Sequence, residues 1–89
     1  MISKDITIIN KLGLHARAAA RLVSLASTFD SDIRVTKQGK TVNGKSIMGV
    51  MMLAASQNSV ITLTAEGEDE QIAMQKIEAL ISDRFGEDE

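Results

Sequence analysis

The sequence predicts an α+β domain in which helices cover one face of a mostly antiparallel sheet. Some apolar segments alternate with a period of two residues, as strands do, and others repeat every three to four residues, as helices do. These segments follow one another in the order β-α-β-β-α-β-α. Eighty-nine residues, 44% of them apolar, suffice for one small hydrophobic core, so we expect a single domain spanning residues 1–89.

The first half of the chain is predicted to form a strand, a helix and a hairpin. Ser3–Ile9 is β-branched and apolar after Asp5, which favours a strand, and the loop 10–13 follows it. Ala16–Thr28 is predicted to be an amphipathic helix because its apolar residues recur at helical spacing, namely Ala19, Leu22, Val23 and Ala26. The strands Asp32–Lys37 and Lys40–Asn43 flank a Gln-Gly turn signal and therefore predict a hairpin.

The second half is predicted to form two helices around one strand. Ser46 precedes the apolar segment Ile47–Ala54 at the position of an N-cap, which indicates a short helix. Ser59–Ala65 alternates as a strand does. Asp69–Phe85 has helical periodicity and meets Gly86 as a stop signal, so the acidic tail 87–89 is expected to be solvated.

Composition excludes several classes of protein. The chain has no cysteine, which excludes a disulfide framework and thiolate metal sites, and its one histidine, His15, cannot build a zinc site by itself. Two aromatic residues and a net charge of −2 argue against nucleic-acid binding. The longest apolar run, residues 47–55, is far shorter than the roughly 20 residues that span a bilayer, and no signal peptide is evident. We therefore expect a cytoplasmic protein without membrane insertion.

Charge is distributed unevenly along the chain. Residues 1–50 contain eight lysines and arginines against three acids, whereas residues 51–89 contain two against nine. Anion chemistry is therefore expected in the first half. The acid run 66–70 could suggest a divalent cation, but a turn followed by helix N-terminal charges explains it better.

The segment Gly13-Leu14-His15-Ala16-Arg17 places a histidine and an arginine where a loop enters the first helix. The first amides of a helix lack partners and carry the positive end of its dipole, which suits a phosphate. A neutral imidazole is nucleophilic, and Arg17 can hydrogen-bond the oxygens of a group on the ring. The pattern is typical of phosphoryl transfer onto His15, although an ordinary surface histidine beside a solvated arginine also fits.

Two longer segments resemble a known family. INKLGLHARAAARLV and VNGKSIMGVMMLAAS look like the active-site loop and regulatory helix of HPr, the histidine-containing phosphocarrier of the bacterial phosphotransferase system, and the similarity covers essentially all of the chain. The resemblance implies an open-faced β-sandwich with strand order 1-4-2-3 and three helices on one face. It also implies phosphocarrier function, with the chain acting as a stoichiometric carrier and not as an enzyme. We expect such a carrier to have no metal or organic cofactor of its own.

The resemblance assigns roles to three residues. His15 matches the histidine that accepts a phosphoryl group at Nδ1 from enzyme I and passes it to an enzyme IIA. Arg17 matches the arginine that steadies this group, and Ser46 matches a serine modified in part of the family by HPr kinase/phosphorylase. A simple N-cap role explains Ser46 equally well. Many members have proline where this chain has Ala18. We expect this difference to affect the rate of phosphoryl transfer and not the type of reaction.

The second helix is apolar nearly all round, so part of it must be exposed. We expect a partner-binding surface there, with core filling as the alternative, above all for Met52. The residues expected to form this docking patch are Ala16, Ala20, Ile47, Met48 and Met51.

Two alternatives to the sugar phosphocarrier remain at this stage. One is the nitrogen-branch paralogue NPr, which uses the same histidine relay for regulation. The other is a protein-binding adaptor that is never phosphorylated, against which the intact pair His15 and Arg17 weighs. A shuttle that presents one site to successive partners is expected to be a monomer.

Overall fold

The computed structural model describes all residues, 1–89, and confirms the predicted order of elements. Four strands and three helices alternate as βαββαβα, followed by a single 3₁₀ turn at Arg84–Gly86. Their bounds are β1 Ile2–Thr7, α1 Ala16–Ala26, β2 Asp32–Lys37, β3 Lys40–Asn43, α2 Ile47–Met52, β4 Val60–Glu66 and α3 Glu70–Ser82.

The four strands form one antiparallel sheet in the order β1-β4-β2-β3, as the family resemblance implied. β4 lies in the middle and pairs with both β1 and β2, for example Ile6 with Ile61 and Val35 with Leu63. The hairpin turn Gln38-Gly39 has positive φ at both residues, as a type I′ turn requires.

One face of the sheet is covered by the helices, and the core lies between them. Buried positions alternate along the strands, as Ile61, Leu63 and Ala65 do in β4. α1 contributes the face that helical spacing predicted, together with Ala18. The other face of the sheet carries exposed and half-buried polar residues such as Thr62 and Thr64, so the sandwich is open-faced.

The ends of several elements differ from prediction by one to three residues. β1 ends at Thr7, before the predicted Ile9, although Ile8 continues antiparallel pairing through hydrogen bonds with Asn58 and Ser59. α1 ends two residues early, and α2 ends at Met52 because Ala54 has a positive φ of 52°. The prediction for α2 was wrong because the apolar residues Leu53 and Ala54 continue the pattern past the point at which the backbone turns.

α3 shows the largest discrepancy. It ends at Ser82, not at Phe85, and Arg84 and Phe85 both adopt a left-handed φ of 56°. Phe85 is nevertheless fully buried, so its apolar spacing from Ile77 and Ile81 reflects burial without helical geometry. Packing of the phenyl ring compensates for a left-handed backbone that costs about 1 kcal/mol or more per residue.

The acidic residues at the turn before α3 accept hydrogen bonds from nearby residues. The Asp69 carboxylate accepts hydrogen bonds from the Ser31 hydroxyl and from the amides of Asp30 and Ser31. These bonds, that of Ser31 first, hold the pKa of Asp69 below its ordinary value. Glu70 accepts from the amide of Gly67 at 3.2 Å. Glu70 thus stabilises the turn, as predicted, whereas Asp69 makes no cap hydrogen bond to α3 and ties the turn to the loop after α1.

The longest helix of residues 1–89 is α3, with 13 residues. None of the helices combines the length and apolar character required to cross a membrane.

Candidate functional site

The loop after β1 places His15 at the N-cap of α1. His15 has extended backbone angles, φ −73° and ψ 179°, and its carbonyl accepts the first helical hydrogen bond, from Ala19 at 2.8 Å. The amides of residues 16–18 make no backbone hydrogen bond. Three donors and the positive end of the helix dipole therefore lie next to the imidazole, as the sequence predicted.

Two contacts fix the loop that carries His15. Gly13 is buried and has φ +65°, a conformation that favours glycine, and its carbonyl accepts from Asn10 Nδ2 at 2.8 Å. Leu14 donates its amide to the carbonyl of Ala55, which follows α2, at 2.8 Å. The position of His15 thus depends on a chain segment 40 residues away in sequence as well as on its own loop.

The two nitrogens of the His15 ring have different surroundings. Nε2 hydrogen-bonds the Glu87 carboxylate, whereas Nδ1 makes no hydrogen bond. The side chain of His15 is 29% exposed and that of Glu87 only 14%. The prediction that the tail 87–89 is solvated is therefore wrong for Glu87, whose contact to His15 went unnoticed in the sequence.

The chain after α3 is turned back towards His15 by the left-handed turn. Phe85 anchors this turn in the core, and its carbonyl accepts a hydrogen bond from the Arg21 guanidinium. Further along, the carbonyl of Glu89 accepts from the amide of Lys11 at 2.5 Å. The opposite net charges of the two halves of the chain are the only feature of the sequence that favours contact between the C-terminal segment and the His15 loop. Charge alone does not specify which residues meet.

The Glu87 carboxylate is held as an anion. Burial acts to raise its pKa, but hydrogen bonds from Asn10 and His15, with attraction to protonated His15 and to Arg21, outweigh burial and leave the pKa below the ordinary value. The distance from Asn10 Nδ2 to Glu87 Oε1 is 3.0 Å. The carboxylate therefore uses both oxygens as acceptors.

Arg17 lies in the same open cleft as His15, Ala16 and Arg21, a space of about 780 Å³. The side chain of Arg17 is exposed and forms no ion pair or hydrogen bond, so it is free to meet an anion on the ring. The structure thus brings together His15 and Arg17. No group of three or more acidic or histidine side chains in residues 1–89 is arranged to hold a metal ion.

Ser46 caps α2. Its hydroxyl accepts from the Gly49 amide at 3.1 Å, which confirms the predicted N-cap. Of the predicted docking patch, Ala16, Ile47, Met48 and Met51 are exposed and Ala20 is half-buried. Core filling by Met52 was the wrong alternative, because this side chain is 61% exposed. Leu12, in the loop before His15, is a further apolar residue that is exposed, by 66%, and was not predicted from the sequence.

The helix start allows a prediction for Ala18. It is the third helical residue, and its amide makes no backbone hydrogen bond, so a proline there removes no such bond. We expect Ala18→Pro to change the free energy of unfolding by less than about 1 kcal/mol. Urea unfolding checks this, and a loss above about 2 kcal/mol would show that the buried site at Ala18 cannot take the ring.

The chain is similar to known proteins over its whole length. The protein-family model described as "PTS HPr component phosphorylation site" matches residues 2–83. The phosphocarrier protein HPr of Cupriavidus necator is 56% identical over 89 residues, covering all of both chains. The crystal structure of HPr-C-His from Thermoanaerobacter tengcongensis is 50% identical, covers all of both chains and superposes with a TM-score of 0.96.

A second structure from Thermoanaerobacter tengcongensis is described as an HPr dimer. It is 52% identical, with a TM-score of 0.79, and the match covers 98% of this chain and 100% of the other. The same fold thus occurs in a dimeric arrangement in that relative.

Proposed function

Because this chain belongs to the HPr family, the phosphocarriers of the phosphotransferase system, we propose that His15 is the residue that carries the phosphoryl group. Members of the family work with partners of that system such as enzyme I and an enzyme IIA. In this proposal His15 accepts the group at Nδ1 from phosphorylated enzyme I and gives it to an enzyme IIA.

The observation that carries the proposal is the state of the two ring nitrogens. Nε2 is engaged by Glu87, so the lone pair of a neutral ring is at Nδ1, which has no partner. The unpaired amides of residues 16–18 lie at the start of the same helix. They supply donors for the oxygens of a phosphoryl group, and Arg17 supplies an exposed positive charge.

The chain acts here as a stoichiometric carrier and not as an enzyme. It contributes the nucleophile and the donors, and each partner contributes the rest of a transfer site. We assign this role to one domain, residues 1–89, that acts as a monomer in the cytoplasm, where phosphoenolpyruvate supplies the group. Family membership favours this role over an adaptor that is never phosphorylated, and the relatives above are named HPr, which favours it over the NPr alternative.

The test is phosphorylation in a defined system. The protein is incubated with phosphoenolpyruvate, magnesium and purified enzyme I of Cupriavidus necator, whose HPr is 56% identical. We expect one phosphoryl group per chain, labile in acid and stable in base, as phosphohistidine is. No incorporation, or a label that survives acid, would contradict the proposal.

We further propose that the exposed residues of α2 dock enzyme I and that Ser46 regulates this contact. Ile47 and Met48 follow Ser46 directly and are 44% and 70% exposed. A phosphate on Ser46 would remain next to the helix N-terminus, which tolerates negative charge, so the fold would be kept. Its charge would have to be desolvated when an apolar partner surface covers the helix, which is costly.

This gives a prediction for two variants. Ser46→Asp and Met51→Glu should keep the melting temperature within a few degrees and slow phosphorylation of His15 by about tenfold at subsaturating carrier concentration. Ile72→Glu is the control, because Ile72 is 47% exposed on α3 outside the patch. Equal rates for all three variants and the wild type would show that α2 is not the docking surface and that Ser46 serves only as a cap.

A further inference from the structure

A row of hydrogen-bonded side chains runs from the core to His15 and involves residues that the proposed reaction does not otherwise use. Asn10 is fully buried. Its Nδ2 group donates one hydrogen to the Gly13 carbonyl at 2.8 Å and the other to Glu87 Oε1 at 3.0 Å. Glu87 Oε2 hydrogen-bonds His15 Nε2. The row thus starts at a buried side chain and ends on the nucleophilic ring.

The row determines which ring nitrogen carries the proton. A carboxylate only accepts hydrogen bonds, so Nε2 must be the protonated nitrogen when it contacts Glu87. A neutral ring then has its lone pair at Nδ1. The same contact fixes the rotation of the imidazole, because Glu87 is itself held by Asn10.

We propose that Glu87 is a positioning residue for phosphoryl transfer, holding His15 in the tautomer and orientation that present Nδ1, and that Asn10 holds Glu87 in place. This inference rests on the proposed function of His15. The Nδ1 lone pair forms a bond to phosphorus as the bond from phosphorus to the phosphorylated donor protein breaks, and that electron pair leaves with the donor. The proton stays on Nε2, where the carboxylate stabilises the positive charge that develops on the ring.

A carboxylate is required here and an amide does not replace it. Both neighbours of Glu87, Asn10 Nδ2 and His15 Nε2, are donors. A glutamine would accept from one of them and direct its own amide hydrogens at the other. An aspartate keeps the charge but is one methylene shorter, so it loses the contact.

The experiment compares Glu87→Ala, Glu87→Gln and Glu87→Asp with the wild type. The first readout is the ¹⁵N NMR spectrum of His15 in the free protein at a pH where the ring is neutral, which reports the tautomer without any partner. The second is kcat and KM for phosphorylation by enzyme I. Asp88→Asn is the matched control, because it removes a neighbouring, exposed charge while Glu87 remains the carboxylate that hydrogen-bonds Asn10 and His15.

We expect all three Glu87 variants to weaken the preference for protonated Nε2 and to lower kcat about tenfold, while KM changes less than twofold. Asp88→Asn should match the wild type in both readouts. Unchanged tautomer and kcat in Glu87→Ala, wild-type behaviour of Glu87→Asp, or faster phosphorylation without Glu87 would each overturn the inference. Failure of the proposed function is distinct, because the wild type itself would then take up no phosphoryl group.

Discussion

Replacing His15 with alanine should leave a folded protein that takes up no acid-labile phosphoryl group. The chain contains one histidine, so no other imidazole can substitute for it. Loss of the nucleophile should lower the rate about 10³-fold or more, to background. The side chain makes no cap hydrogen bond to α1 and is not part of the hydrophobic core, so the melting temperature should change by only a few degrees. The measurement is incorporation of label from phosphoenolpyruvate through enzyme I.

Arg17→Ala is the matched comparison for this variant. Arg17 donates to the transferred group in the proposed reaction but does not react itself, so transfer should be slower by about tenfold and still measurable. Acid-labile label on His15→Ala would remove His15 from the mechanism. Equal loss in both variants would show that Arg17 does more than stabilise the group.

The second large effect is expected at Gly13, where alanine should destabilise the fold by about 2–4 kcal/mol. Its φ of +65° already disfavours a side chain. An added Cβ would overlap the Ala55 carbonyl oxygen and lie 2.8 Å from Ser56 Cα, both backbone atoms that cannot rotate away. The carbonyl of Ala55 accepts the amide of Leu14, so the clash also strains the loop before His15.

Gly39→Ala separates the strain of a positive φ from the steric overlap of an added Cβ. Gly39 has φ +80°, but a Cβ there would meet no atom within 4 Å. The free energy of unfolding of this variant should fall by only about 1 kcal/mol, the cost of a side chain at a positive φ. Urea unfolding of both variants gives the difference, and equal losses would mean that the chain relaxes around Gly13 without cost. Slower phosphorylation of Gly13→Ala under conditions where it is folded would show that the loop geometry matters for the site.

The sequence was sufficient to predict the order of strands and helices because each depends on local periodicity. The buried face of α1 and the cap at Ser46 are set by residues three to four positions apart, and both predictions are confirmed. The strand order followed from the family resemblance and not from the pattern. The end of α3 could not be predicted in this way, since apolar spacing continues to Phe85 while the backbone has already left the helix.

The functional site was predicted only in part, because the sequence pattern reports on residues that are close together along the chain. His15 and Arg17 lie within one segment, so their proximity follows from the chain itself. Glu87 is 72 residues from His15, and only the folded chain brings them together. The acidic neighbours of Glu87 suggested a solvated tail. A run of charges gives no sign of the turn at Phe85, which directs the tail towards His15. Long-range contacts of this kind require the three-dimensional structure.

The sheet order also determines when the site forms during folding. β1, which leads into the His15 loop, pairs only with β4, near the other end of the chain, so the two strands meet after most of the sequence is available. Such non-local pairing makes folding slow relative to helical proteins of this size. The tail that contacts His15 comes later still. A nascent chain therefore contains the nucleophile long before it has the environment that orients it, and phosphoryl acceptance becomes a property of the completed fold.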